Sequence, residues 1–508
     1  METNGHQNGS EMESRTHLLM VPMVQQAHIS TAIRFAKKLS KRGVIITFVT
    51  LKKHAEQMRK SYSPAVLLKL NITIEALDDY QCMPTPLHLA AGMKPVFQPL
   101  VQKLKANKKA GLPGPTCILA DRFLTWMKAR AQECKPISSH VCSGMCTQQE
   151  VADELDLPRY AYASNAAITT RLMQVHHEIK DKLIAVPDGP KWILSIFEEI
   201  NKMPGLEFLR VYQDIPPVSK ENGWFQFFLS IGEGFATADG IVFNSFSELE
   251  GTTIQHIHNA FPGRPDLKVA PIYPIGPLST LEDFQNELFT GDAMEDSHEE
   301  CLDWLALQPT KSVLYVCLGS QVRLFGEQIS HLARALESSQ QKFLWVLSKG
   351  RNNFQTADEV LPPGFSERTR GRGKVVTGWV GQLELLAHRS MRGFMSHCGW
   401  QSVMESLTYG VPILGWPHFA EQHLNCRYVQ EILHAGLRVA ENDGLEMVQQ
   451  HEFESSIKIF MDEAEGHAAA KGAAEIKLKA AAAVASGGSS DLALDELARS
   501  FRTVTRRT

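Results

Sequence analysis

Short apolar runs alternate with longer amphipathic stretches along almost the whole chain, and this alternation constrains the architecture more than any other feature. His17 to Pro22 reads as a buried strand. Ser30 to Ser40 follows with helical spacing (Ile33, Phe35, Ala36, Leu39), and Lys41-Arg42-Gly43 stops it. Val44 to Val49, Thr116 to Ala120, Gly240 to Phe243, Ser312 to Leu318, Phe343 to Leu347, Lys374 to Thr377, Arg392 to Ser396 and Val411 to Trp416 repeat the strand pattern. Strands separated by helices imply βαβ units and parallel sheets, the signature of an α/β fold. A chain of 508 residues is long for one such sheet, so two doubly wound domains fit better.

The boundary between them is expected where Pro271 to Pro277 concentrates three Pro and a Gly, followed by an acidic stretch from Glu282 to Glu300. The expected division is an N-terminal domain over residues 1–270, a linker over 271–290, a C-terminal domain over 291–486 and a terminal helical segment over 487–508. Ala468 to Ala485 is helical by propensity. Gly487-Gly488-Ser489-Ser490 breaks it, and Asp491 to Phe501 reads as a last short helix.

Charge excludes several roles. With 52 Lys plus Arg against 56 Asp plus Glu, the net charge is -4, which leaves no basic footprint for nucleic acid or an anionic membrane. The polar first 15 residues lack a secretory core, and no apolar run of membrane-spanning length occurs. Nine scattered Cys suit a reducing compartment, so the cytoplasm is the expected location. Cys134, His140, Cys142 and Cys146 cluster in one segment, but without a Cys-X-X-Cys pair they favour incidental cysteines over a zinc site, and no metal is expected.

Ligands of a doubly wound sheet bind beyond the carboxyl ends of its strands. The polar residues at those ends are His28, Asp121, Gly319-Ser320, Trp379 with Gln382, His397 to Ser402, and Glu421-Gln422. His28 opens a helix, whose partial positive charge disfavours imidazolium and so suits a general base; Asp121 could fix its tautomer. A capping His and an isolated strand-end Asp are the bland alternative. Trp400 to Tyr409 reads as a helix whose free N–H groups suit an anion, with Gln401 and Ser402 in its first turn and Glu405 on a neighbouring face. That arrangement suits a nucleotide, although an ordinary βα turn has the same pattern. No phosphate-binding Gly-X-X-X-X-Gly-Lys-Ser/Thr, dinucleotide Gly-X-Gly-X-X-Gly or Gly-X-Ser-X-Gly elbow is present, and there is no Asp-X-Asp triplet.

The 44 residues from Trp379 to Gln422, WVGQLELLAHRSMRGFMSHCGWQSVMESLTYGVPILGWPHFAEQ, resemble the signature box of plant secondary-product UDP-glycosyltransferases. Trp-X-X-Gln, His-Cys-Gly-Trp, the Ser and Glu that follow, and the final Glu-Gln all match in order. The resemblance extends to Leu361-Pro362-Pro363-Gly364-Phe365, to Asn244 through Glu250, and to His28. It implies a GT-B fold, two Rossmann-like doubly wound domains facing across a cleft, with the last helix returning to the N-terminal domain. It further implies that Trp379 stacks on uracil, Gln382 lies near base and ribose, Glu405 takes the ribose hydroxyls, and His397, Ser402 and Ser320 contact the diphosphate. Trp400, Glu421 and Gln422 would face the sugar, with Gln401 also on the donor side; Gln422 resembles the glucose-using members. His28 and Asp121 would be the catalytic pair in an inverting displacement without an obligatory metal or cofactor. UDP-glucose would be the donor. The acceptor would be a small hydrophobic alcohol or phenol, flavonoid-like or terpenoid-like.

Three departures from the family pattern stand out. Gln401 replaces the usual Asn, Ala27 replaces the usual Gly before the His, and residues 127–146 interrupt a stretch where family members run straight from Trp126 toward Gln148. Because that insertion follows Asp121 closely, a UDP-sugar-binding protein with impaired transfer is the alternative expectation.

Overall fold

A computed structural model describes residues 16–79, 86–124, 152, 154–179, 182, 190–215, 229, 231–232, 234–235, 237–259, 270–280, 295–347, 356–378, 380–440 and 447–503. The insertion at 127–146, with its Cys and His cluster, and Trp379 lie outside the described residues.

Thirteen strands form two sheets, of seven and six strands, among the described residues. The first runs β3-β2-β1-β4-β5-β6-β7 and the second β10-β9-β8-β11-β12-β13. Every strand pair is parallel. The strands of the first sheet are His17–Val21, Ile45–Leu51, Ile72–Leu77, Cys117–Asp121, Arg159–Ala163, Gly240–Phe243 and Ile272–Pro274, as β1 to β7. Those of the second are Val313–Cys317, Lys342–Leu347, Gly373–Thr377, Met391–Ser396, Ile413–Gly415 and Gly436–Arg438, as β8 to β13. This is the GT-B architecture, two Rossmann-like doubly wound units. Central strands are buried on both faces, as crossover helices require: β4 and β11 contain no exposed residue.

All nine strand expectations coincide with observed strands. Four strands carry no such signal. β3, β7 and β13 are sheet edges, and β5 contains Arg159, buried by bonds to Gly234 O at 2.8 Å and Thr237 Oγ1 at 3.0 Å. β7 corrects the linker boundary. The Pro-rich run placed in a linker from residue 271 pairs with β6, Val242 opposite Tyr273, so the first sheet extends to Pro274. An edge strand tolerates Pro because one of its sides needs no donor.

In each sheet the order reverses beside its first strand. β1 lies between β2 and β4, and β8 between β9 and β11. The crevice at such a reversal is where a doubly wound sheet binds ligands. The register places Val21 opposite Ala120, so His28 and Asp121 follow adjacent strand ends. It places Ser396 opposite Cys317, so His397 and Gly319 do the same in the second sheet.

The two units share one apolar core. Leu19, Ile118 and Phe243 of the first belong to the same cluster as Trp400, Val403 and Tyr428 of the second. A buried ionic hub reinforces the junction. Asp214, fully buried, receives Arg427 Nε at 3.1 Å on one oxygen and Arg438 Nη1 at 3.1 Å on the other. The last helix, Ser489–Thr503, lies against the first sheet: Phe501 packs edge-on to Tyr160 at 4.6 Å, and Tyr160 Oη donates to Ser500 Oγ. Arg42 pairs there with Asp491 and, at 2.6 Å, with Asp495.

Candidate active site

His28 is the third residue of the helix Gln26–Ser40, which leaves β1 at the reversal point. Its Nδ1 lies 2.6 Å from Asp121 Oδ2, and Ser164 Oγ is 3.0 Å from the same nitrogen. The Asp121 side chain has no exposed surface, while that of His28 keeps 15%. A carboxylate only accepts, so the hydrogen of the imidazole belongs on Nδ1 and Nε2 is left as the basic nitrogen. The adjacent strand ends bring these two residues together although 93 positions separate them.

The second half of the site collects at the ends of β8 and β11. The helix Trp400–Thr408 begins at Gly399, with Glu405 one turn in and nearly buried. Gln382 starts the short helix Gln382–Ala387; its Nε2 donates to Glu405 Oε2 at 2.7 Å and to Ser402 Oγ at 3.3 Å. Tyr315 Oη, from β8, donates to Gln382 Oε1 at 3.4 Å. Gln382, Ser402 and Glu405 therefore share one network beside the helix start.

His397 is wedged between two glycines. A Cβ on Gly319 would lie 2.8 Å from its Cε1, and one on Gly399 would lie 2.6 Å from its Nε2. Gly319 also takes a φ of +73°, which a side chain would strain. Burial pushes the imidazole down to about 4, so it is neutral near pH 7. Its Nδ1 is buried without a hydrogen-bond partner. A neutral imidazole can hold one hydrogen there for a ligand oxygen, while free N–H groups of the adjacent helix start offer further donors. Ser320 is exposed on the neighbouring loop.

Glu421 occupies the position just before the helix Gln422–Glu431. Burial holds the Arg122 guanidinium, next to Asp121, below its ordinary range, and the Glu421 and Asp121 carboxylates oppose that shift. Gln422 Oε1 accepts from His418 N at 3.0 Å and Phe419 N at 3.1 Å. Two backbone donors engage the amide oxygen, so Nε2 is the end with hydrogens to offer.

Two residues expected on the donor side carry bonds within the protein. Trp400 is buried in the junction between the units, and its indole N–H donates to Asn244 O at 3.0 Å. Its one polar hydrogen is committed there. The Gln401 amide is engaged by four protein partners, Thr31, Asn244, Ser279 and Glu405. Arg34 was not anticipated from sequence. It sits two turns beyond His28 on the same helix and reaches Glu405 Oε1 at 3.3 Å and Ser279 Oγ at 2.9 Å. An Arg on an amphipathic helix reads as solvent-facing, so only the docked second unit reveals its role. No group of three or more metal-ligating side chains occurs among the described residues.

Residues 284–465 match the model of the family described as UDP-glucoronosyl and UDP-glucosyl transferase. UDP-glycosyltransferase 71K1 of Malus domestica is 30% identical over 431 residues, 82% of this chain and 84% of that protein. UDP-glycosyltransferase 13 of Pueraria montana var. lobata is 32% identical over 365 residues, 68% of this chain and 76% of the relative. Among solved structures, Medicago truncatula UGT71G1 complexed with UDP-glucose superposes with a TM-score of 0.75 at 25% identity, covering 97% of this chain and all of that one. A Polygonum tinctorium UDP-glucosyltransferase capable of glucosylating indoxyl gives 0.73 at 26% identity, with 96% and 99% covered. The chain belongs to the plant UDP-glycosyltransferases, and it is an enzyme of that family with the GT-B fold.

Proposed function

We propose that this enzyme transfers glucose from UDP-glucose to a hydroxyl of a small hydrophobic acceptor, phenolic or terpenoid-like, with inversion and with His28 as general base. The observation that carries the reading is the 2.6 Å contact between His28 Nδ1 and the buried Asp121. It leaves Nε2 to take the acceptor proton as the acceptor oxygen attacks the anomeric carbon. The glycosyl C–O bond to UDP breaks in the same displacement, so an α-linked donor yields a β-linked product. Asp121 stabilises the imidazolium that forms. UDP leaves with its charge facing the Trp400–Thr408 helix start and the unpartnered His397 Nδ1, and the reading gives this role to the chain's own donors with no obligatory metal or cofactor. Trp379 is assigned to the uracil face, Gln382 and Glu405 to ribose, Ser320, His397 and Ser402 to phosphate, and Glu421 and Gln422 to the sugar.

The UDP-glucose bound by the Medicago relative supports the donor, and indoxyl for the Polygonum relative supports a small aromatic acceptor. No described helix is long and apolar enough to cross a membrane. The free cysteines Cys117, Cys301, Cys317, Cys398 and Cys426 support the cytoplasm as the compartment.

The test is UDP release from purified protein given UDP-glucose, with and without a phenolic acceptor panel. Acceptor-dependent release that falls about 10²- to 10⁴-fold in His28→Ala supports the reading. Full activity in that variant would remove His28 as base. Release independent of acceptor would indicate hydrolysis of the donor. UDP binding without turnover, restored by deleting residues 127–146, would favour the impaired-transfer alternative.

A further inference from the structure

We propose that Gln401 is a positioning residue: it fixes the helix that carries the base against the helix that carries Glu405, and does so without touching the sugar donor. The inference rests on the transferase reading above.

A side-chain amide accepts two hydrogen bonds at oxygen and donates two at nitrogen. Gln401 uses all four inside the protein. Its Nε2 donates to Ser279 Oγ at 2.6 Å and to Glu405 Oε1 at 2.9 Å. Its Oε1 accepts from Asn244 Nδ2 at 3.2 Å and Thr31 Oγ1 at 2.8 Å. The orientation is fixed from both ends. The Glu405 carboxylate only accepts, so nitrogen must face it. Leu278 N donates to Asn244 Oδ1 at 3.1 Å, so the Asn244 nitrogen must face Gln401. The single Thr31 hydrogen is shared between Gln401 and Ala27 O at 2.7 Å.

Three of the four partners belong to the N-terminal unit. Thr31 lies on the base-bearing helix, Asn244 follows β6 and Ser279 follows β7. Thr31 is three residues after His28 and Arg34 three after Thr31, so Thr31 neighbours both on the helix surface. That helix is tied to the second unit at successive turns, by Thr31 to Gln401 and by Arg34 to Glu405. The distance from base to donor is thereby set by side chains that need not meet the donor. A new bond from Gln401 to a sugar hydroxyl would require surrendering one of the four. Displacing a catalytic group by about 1 Å costs on the order of 100-fold in rate, so loosening this junction acts on turnover.

The experiment compares wild type, Thr31→Val, Gln401→Leu and the double variant. UDP-glucose affinity is read by calorimetry, and kcat and KM with a turned-over acceptor. The expected result for Gln401→Leu is affinity and donor KM within about threefold of wild type and kcat lowered by about tenfold or more. Thr31→Val should lower kcat without moving donor KM, and the double variant should lose no more than Gln401→Leu alone. A donor KM or dissociation constant raised about tenfold with kcat kept, or losses that multiply in the double variant, would overturn the assignment. If Gln401→Leu does not fold, Thr31→Val decides, and unchanged kcat there counts against the proposal. Absence of acceptor-dependent turnover in wild type would instead overturn the transferase reading. The calorimetric pair then still decides Gln401, equal affinity supporting it and an about tenfold loss refuting it.

Discussion

Replacing Asp121 by Asn tests the chemistry of the His28 pair with almost no change of shape. The carboxylate accepts the Nδ1 hydrogen over 2.6 Å in a setting that leaves Asp121 no exposed surface. An amide in the same place can point its NH₂ at Nδ1, and the imidazole then answers with the opposite tautomer. Its hydrogen moves to Nε2, the atom that must accept the acceptor proton, so the base is blocked while every heavy atom stays near its position. Loss of the counter-charge also removes stabilisation of the imidazolium formed during transfer. In an acyl-transfer triad the same exchange costs about 10⁴ in kcat. Here Ser164 Oγ, 3.0 Å from Nδ1, can still accept a hydrogen and hold part of the correct tautomer. The expected loss is therefore about 10²- to 10⁴-fold in kcat, or about 3 to 5 kcal/mol of barrier. Stopped-time UDP release at saturating donor and acceptor measures it, with donor KM as a control that should move little. Combining Asp121→Asn with His28→Ala should cost no more than His28→Ala alone, since the two act as one unit. A kcat within about tenfold of wild type for Asp121→Asn, or multiplicative losses in the double variant, would refute the tautomer argument.

Other consequences concern the scaffold. Asp214→Ala removes the carboxylate that Arg427 and Arg438 share, leaves Arg427 the longer pair with Glu431 at 3.5 Å, and does so where only 2% and 3% of the two side chains are exposed. Destabilisation of about 3–5 kcal/mol is expected in urea unfolding, and an unchanged midpoint would show that the hub is dispensable. His176 and His397 are both pushed down to about 4 by burial. Their folded forms bind fewer protons than the unfolded chain below about 6.5, so stability is full above that pH and falls toward 4; at pH 5 each costs up to about 2 kcal/mol. His176→Asn should flatten the decline in melting temperature between pH 6.5 and 5, and an unaltered slope would count against its buried neutral state. Gly319→Ala puts a methyl 2.8 Å from His397 Cε1 at a left-handed backbone position. UDP affinity measured by calorimetry should drop by about tenfold, and wild-type affinity would mean that His397 is not a phosphate contact.

The architecture was readable in sequence because buried parallel strands write themselves as uninterrupted apolar runs. Val313–Cys317 is of this kind throughout, and Cys117–Asp121 up to its last residue. The edges are less legible for the opposite reason. Ile272–Pro274 needs ladder bonds on one side only, so its Pro-rich sequence carries the marks of a linker. Arg159–Ala163 is central yet contains a buried Arg whose partners, Gly234 and Thr237, come from a distant turn that no local pattern announces.

The same contrast governs the site. His28, Asp121, Gln382, His397, Ser402 and Glu405 all follow strand ends or helix starts, where the topology alone decides which edge they occupy. What the chain cannot show residue by residue is how the two units meet. The family resemblance places Trp400 and Gln401 on the donor side. The first turn of their helix has two sides, however, and on one of them Asn244 and Ser279 of the other unit take up the polar atoms. Arg34 and Asp214 escape a sequence reading for the same reason. Each is an ordinary charged residue within its own unit, and each acquires its role only from a carboxylate or guanidinium hundreds of positions away, Glu405 in one case and Arg427 with Arg438 in the other. Residues that face substrate are marked by their place on a sheet, whereas residues that set the spacing between base and donor are marked only by their partners across the cleft. The second group therefore has to be located by coupling between substitutions, since its effect on turnover passes through the partner across the cleft.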